Sequence, residues 1–307
     1  MFVSCSKTID DLIPFTTSTP GNSFSDEEDK TWTILIYANE ISEFSKNAQE
    51  QISLMNNLSL SNDINVIIAT RTNTDDFNTN YNKMEQNIFL YKISSFGSAP
   101  ELVDTLHKMN LDDPRSSTII IETIFSMYQS DRFGIIYWGE TNSWKQKDEK
   151  NLTTNKFLAT KIKEGIEKSG IENTVPLEFL IFDSSLMGSN EAAAEFIGLT
   201  NVYIANGGFN FGNKTDYSSF LSYLSENPNA TYTEIAKKEV ELWEAAHTEI
   251  DTTEDLLKAH IALDMNLFTQ YMSSWSTLNR KIRLYSKDKY DDHIATIAAY
   301  DSDYLLI

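Results

Sequence analysis

Short, β-branched apolar runs recur along the chain, and the segments between them place their apolar residues at helical spacing. The runs opening at Trp32 (Thr33-Ile34-Leu35-Ile36-Tyr37), Ile64 to Thr70, Ile88 to Ile93, Phe133 to Trp138, Leu177 to Asp183 and Asn201 to Asn206 predict six strands. Helices are predicted over Phe44 to Asn56, Pro100 to Met109, Ser116 to Tyr128, the segment carrying Leu158, Ile162 and Ile166 up to Gly170, and Asn190 to Ile197. The Asp112-Asp113-Pro114 break separates the second from the third. Thr231-Tyr232-Thr233-Glu234 has capping-box spacing and opens a helix to about His247. Leu256 to Lys281 reads as helix with a break near Asp264, and the apolar finish of Ile294 to Ile307 reads as a docked element or a truncated chain.

Strand and helix alternating in this way predict an α/β fold: a three-layer αβα sandwich around a mainly parallel six-stranded sheet, as one domain over 31–307 with a C-terminal helical extension. Sites on open parallel sheets form beyond the carboxyl ends of the strands. That rule gathers Glu140 to Trp144, Asp183 to Ser185 and Asn206 to Phe209 on one rim.

Composition narrows the partners. The chain has 307 residues, 41% of them hydrophobic, which is ample for a packed core. Its 45 acids against 25 bases give a net charge of −20, which repels phosphate backbones, so nucleic acid is excluded as a partner. No run approaches the ~20 apolar residues of a membrane span. Residues 1–30 read as a flexible leader rich in Ser, Thr, Asp and Glu. Within it, Met1-Phe2-Val3-Ser4-Cys5-Ser6 resembles the tail of a bacterial lipoprotein signal, which implies acylation of Cys5 and an extracytoplasmic, lipid-anchored location as the only membrane contact. A single cysteine excludes an intrachain disulfide and a thiolate-rich metal site.

The chemistry-bearing stretch is Leu177-Glu178-Phe179-Leu180-Ile181-Phe182-Asp183-Ser184-Ser185-Leu186-Met187-Gly188-Ser189, a strand closed by an acid and two hydroxyls. Its Phe182-to-Gly188 portion resembles the nucleophile strand of the clostripain-like cysteine peptidases, which reads phenylalanine, aspartate, alanine, cysteine, leucine, methionine, glycine. Trp32 to Ala38 is similar to that family's first strand. Asp113-Pro114 and Ser130-Asp131-Arg132-Phe133 are similar to the segments before the strand that carries the catalytic histidine, and the resemblance runs to Trp243 or Asp264. It implies a caspase-type fold and, in the family, cleavage after Arg or Lys.

Both halves of the family's dyad are replaced in this pattern. Ser185 stands at the cysteine position, and Glu140, within Trp138-Gly139-Glu140-Thr141, stands where the family reads histidine. A serine hydroxyl without a base is a poor nucleophile, and losing one key member of a catalytic triad costs roughly 10⁶ in turnover elsewhere. His107, His247, His260 and His293 fall in predicted helices or the tail, away from the strand ends. The expectation is a non-catalytic homologue that binds peptide or protein at the former site, with a weak serine hydrolase using Ser185 as the alternative.

The resemblance gives Asp183 the role of holding a basic ligand side chain, and capping of the following helix near Met187 to Ser189 is the alternative. Trp138 and Trp144 are candidates to wall a peptide groove, with core packing the alternative for Trp138, and Asn206 completes the candidate binding set. No cofactor and no metal are expected, the Asp112-Asp113 pair reading as loop solvation rather than a calcium site.

Overall fold

A computed structural model describes residues 30–39, 53–55, 58, 60–71, 87–93, 100–139, 155–171, 175–208, 215–247 and 259–285. Its strands are β1 (Trp32–Asn39), β2 (Ile64–Thr70), β3 (Asn87–Lys92), β4 (Glu101–His107), β5 (Arg132–Gly139), β6 (Leu177–Asp183), β7 (Thr200–Asn206) and β8 (His260–Asp264). The helices are α1 (Pro114–Met127), α2 (Asn155–Ser169), α3 (Asn190–Ala194), α4 (Tyr217–Glu226), α5 (Tyr232–His247) and α6 (Met265–Tyr285).

The strands form one sheet in the order β4-β3-β2-β1-β5-β6-β7-β8. Its centre, from β2 to β7, is parallel, as the unbroken apolar runs predict, while β3, β4 and β8 extend it through antiparallel pairs. Alternation along β1 sorts the core onto two faces. Leu35 and Tyr37 pack with α1, α2, α3 and the start of α6, whereas Trp32, Ile34 and Ile36 pack with Met55, α4 and α5. The αβα layering is as expected.

Among the described residues the sheet has eight strands, not six. Pro100 to Met109, expected as helix, holds β4, paired antiparallel with β3. In that pairing Asp104 meets Leu90 and Leu102 meets Tyr91, so Val103 is an extra residue at a bulge. The bulge lets Val103 and Leu106 both reach the core at a spacing of three, which imitates a helix in the sequence. The expected helix from Leu256 divides as well: 256–258 lie outside the described residues, 260–264 are β8, and the helix begins at Met265. The break near Asp264 is a cap, since its Oδ1 accepts the N–H groups of Asn266 and Leu267.

Helix α4 was not anticipated. Asp216 caps it by accepting from Ser219 N–H, and Tyr217, Phe220, Leu221 and Leu224 bury one face at i, i+3, i+4 and i+7. Both signals stand in the sequence. The expected capping box at the start of α5 is present, with Thr231 N–H donating to Glu234 Oε2 at 2.8 Å and Glu234 N–H to Thr231 Oγ1 at 3.3 Å. The expected helix over Phe44 to Asn56 lies mostly outside the described residues, of which 53–55 are helical, and the expected element over Ile294 to Ile307 lies wholly outside them.

Candidate functional site: a buried polar relay at the carboxyl ends of β6, β7 and β8

Strand β6 delivers Asp183 to the sheet edge opposite Trp138 of β5, and the chain then turns through Ser184 and Ser185. The turn is bound to the end of β7: Leu186 N–H donates to Gly208 O at 2.8 Å, and Gly188 N–H donates to Asn206 O at 2.7 Å. Leu186 adopts φ 59°, a left-handed conformation that costs a branched residue energy and persists here under those two bonds. Gly188 is needed for the close approach, because a Cβ there would lie 2.8 Å from the Gly207 backbone. Gly207 N–H in turn donates to Ala259 O at 2.7 Å, which ties in the start of β8.

On this frame five side chains form one hydrogen-bonded chain. Tyr217 OH donates to Asp183 Oδ2 at 3.0 Å, and Asn206 Nδ2 donates to Asp183 Oδ1 at 3.4 Å. His260 Nδ1 lies 2.7 Å from Asn206 Oδ1, and His260 Nε2 lies 2.7 Å from Glu239 Oε2. All of these side chains are buried. Trp243 covers the imidazole, its ring stacked on His260 at 4.7 Å and 6°, and Trp138 packs against Tyr217 at 5.8 Å.

Donor and acceptor roles fix the protons along the chain. The amide of Asn206 gives its N–H to Asp183, so its oxygen accepts and His260 Nδ1 carries hydrogen. Burial pushes Asp183 up to about 6, opposed by the Tyr217 hydrogen bond and by His260 and Asn206, while Glu239 pushes it further up. Burial, followed by Asp183 and Glu239, holds Tyr217 well above its ordinary value, so its hydroxyl stays a donor.

The sequence-derived site residues meet this arrangement unevenly. Asp183 and Asn206 are neighbours in it, each 1% exposed, and Trp138 is closed off completely beside them. Ser185, 9% exposed, stands in the adjacent turn. Glu140, Trp144 and Cys5 lie outside the described residues. The cap of α3 is Ser189, whose Oγ accepts from Ala192 N–H at 3.2 Å. Asp112 forms an ion pair with Arg71, and Asp113 caps α1 and pairs with Arg115.

Sequence reasoning missed three members of the relay. His260, expected on a helix away from the strand ends, stands on β8 paired with Asn206. Its signal is the alternation of Ile261 and Leu263 ahead of the Asp264 cap, over too few residues to separate strand from helix. Glu239 and Tyr217 reach the site from helices, and no local pattern marks a helical acid or phenol as facing a sheet edge. The other histidines are elsewhere: His107 is exposed on β4, His247 is buried at the end of α5, and His293 lies outside the described residues.

A parallel sheet flanked on both faces by helices, with a turn of acid and hydroxyls at its carboxyl edge, defines a protein of the caspase-like α/β class. Comparison specifies it further: the model of the clostripain family, Peptidase_C11, matches residues 36–303, and the chain belongs to that family. Among solved structures it is similar to a secreted C11 cysteine protease from Bacteroides thetaiotaomicron in complex with an irreversible peptide inhibitor, at 15% identity and TM-score 0.60, covering 78% of this chain and 68% of that one. It is also similar to a further structure of a secreted C11 cysteine protease from the same organism, "iotapain", at 14% identity and TM-score 0.61, covering 83% and 71%. An inactive zymogen C11 protease from Parabacteroides distasonis aligns at 15% identity and TM-score 0.59, covering 79% of this chain and 64% of that one. This chain thus spans about two thirds of the length of these structures, and at such identity the likeness is one of fold. Comparison with curated protein sequences gave no significant match.

Proposed function

We propose that this chain is a non-catalytic member of the clostripain family that engages a peptide or protein segment at the rim of the former active site without cleaving it. The observation that carries this reading is the cysteine count: the one cysteine is Cys5, so the residues 36–303 that match the family contain no thiol to act as nucleophile. Ser185 takes the position the motif gives to cysteine, and Glu140 that of histidine. A carboxylate of ordinary pKa, about 4.3, is a poor base for a serine hydroxyl.

A serine hydrolase would need another base, and His260 does not supply it. Both of its ring nitrogens are engaged at 2.7 Å, one by Asn206 and one by Glu239, which leaves neither for Ser185. With its oxygens accepting from Tyr217 and Asn206, Asp183 anchors the rim from within.

The proposed setting is extracytoplasmic, with Cys5 acylated as a lipid anchor. Supporting this, two of the structurally similar proteases are described as secreted, and among the described residues no helix is long and apolar enough to cross a membrane. The test is titration of the chain with a peptide library, read for binding and, by mass spectrometry, for peptide length. Saturable binding of peptides that remain intact is expected. Cleaved peptides, or no binding by any peptide, would overturn the reading.

A further inference from the structure

Helix α5 turns a buried polar face toward the edge of the sheet. Glu239, Trp243 and His247 follow one another at i, i+4 and i+8, and all three are buried. His247 fixes the indole: its ring stacks on Trp243 at 4.3 Å and 18°, and its Nδ1 lies 2.7 Å from Trp243 O. Across from this face β7 ends in Asn206, whose amide N–H is committed to Asp183, which leaves its oxygen to accept. Glu239, Asn206 and the Trp243 ring meet around one side chain, His260.

The walls offer more than an imidazole uses. Asn206 Oδ1 and both oxygens of Glu239 are acceptors, set beside an indole that lies within 6° of the ring it covers. Imidazole brings two ring nitrogens, each 2.7 Å from one acceptor, and Glu239 Oε1 has no hydrogen-bond partner among the described residues. Natural cores keep few buried acceptors without a donor, because leaving one so is unfavourable. A group that satisfies the whole set is flat, carries only donors, and stacks on indole, which describes a guanidinium. The strand that carries His260 is a short edge strand. The other four residues of β8 are half-buried or exposed, whereas the His260 side chain is 1% exposed, so His260 is the part of β8 inserted deepest.

We propose that His260 is an internal plug: it fills a pocket of Asn206, Glu239 and Trp243 whose acceptors suit a guanidinium-type cation, and so keeps the wild-type rim from taking a basic side chain. Strand pairing seats the plug, since His260 stands opposite Asn206 in the β7–β8 register. It remains in place for as long as β8 belongs to the sheet. Asp183, one hydrogen bond behind Asn206, is closed off by the same insertion. The effect on peptide choice rests on the peptide-binding reading, whereas the pocket is measured without any peptide.

The test is the melting temperature of the full chain titrated with methylguanidinium. His260→Ala should be stabilised saturably, by about 2–4 °C at a tenfold excess over the dissociation constant, and the wild type should not respond. At equal ionic strength methylammonium, a point charge without the flat fork, should stabilise His260→Ala less. The double variant His260→Ala with Glu239→Gln, in which an acceptor becomes a donor, should lose the response. If His260→Ala does not fold, His260→Ser, whose hydroxyl can meet Asn206, is read in the same way. A folded His260 variant that does not respond, an equal response from the wild type or to methylammonium, or a response that survives Glu239→Gln overturns the proposal. Peptides that bind the wild type should show no preference for Arg or Lys, and such a preference overturns it too. A library in which nothing binds overturns the peptide-binding reading alone, and the melting measurements still decide the plug.

Discussion

His260 on β8 and Glu239 on α5 meet at 2.7 Å with both side chains closed off from water, and the second Glu239 oxygen has no hydrogen-bond partner among the described residues. Removing one partner of a buried hydrogen bond leaves the other member stranded, at a cost of about 1–3 kcal/mol. Glu239→Ala should therefore lower the unfolding free energy by that order. Glu239→Gln, which still offers a donor to Nε2, should cost clearly less. Urea unfolding of the three proteins measures both, and equal losses for the two variants would show that the pair is not what the site depends on.

Asp183 gives the protein a pH dependence of defined sign. Its folded-state value of about 6 lies above the ordinary 3.8, so the stabilisation linked to its protonation is complete below about pH 4 and lost as the pH rises through about 6. At neutral pH the buried charge costs about 3 kcal/mol relative to the acid limb. Between pH 7 and pH 4 the wild type should gain stability over Asp183→Asn by that order. Stability curves that run parallel for the two proteins would contradict this.

Tyr217 is the hydroxyl that holds the Asp183 charge in place. Tyr217→Phe removes the donor at 3.0 Å and leaves a buried acceptor short of a partner, which costs about 1–3 kcal/mol. The same change should move the Asp183 titration upward, because that hydrogen bond lowers it. Carboxyl carbon chemical shifts against pH report the midpoint, which should rise in the variant; a fall would mean that the bond favours the neutral acid.

Gly188 is the tightest point of the frame. A methyl group there meets the Gly207 backbone at 2.8 Å, so Gly188→Ala must push the β6 and β7 turns apart, at about 1–3 kcal/mol. Amide exchange should accelerate at Leu186 and Gly188, whose N–H groups cross between the turns. Unchanged exchange at both would place the strain elsewhere.

Much of this architecture stood in the sequence, and what did not has physical reasons. The buried central strands are legible because a strand covered on both faces is apolar throughout, as β2 is along its whole length. The Asp183 turn is legible because acid and hydroxyls end such a run. Edge strands lack that signature: the bulge at Val103 breaks the alternation of β4, and β8 is only 5 residues long. The relay was half visible. Asp183 and Asn206 end neighbouring strands and so declare themselves, whereas Tyr217, Glu239 and His260 reach the same point through packing of α4, α5 and the antiparallel edge, at sequence separations that local patterns do not span.

Turnover reads out whether this clostripain-family chain has kept any peptidase chemistry. Purified chain and its Ser185→Ala variant are incubated with fluorogenic peptides carrying Arg or Lys before the scissile bond, and hydrolysis is followed to completion. No release of fluorophore above buffer is expected from either protein. Hydrolysis by the wild type that disappears in Ser185→Ala would contradict it and make Ser185 a nucleophile.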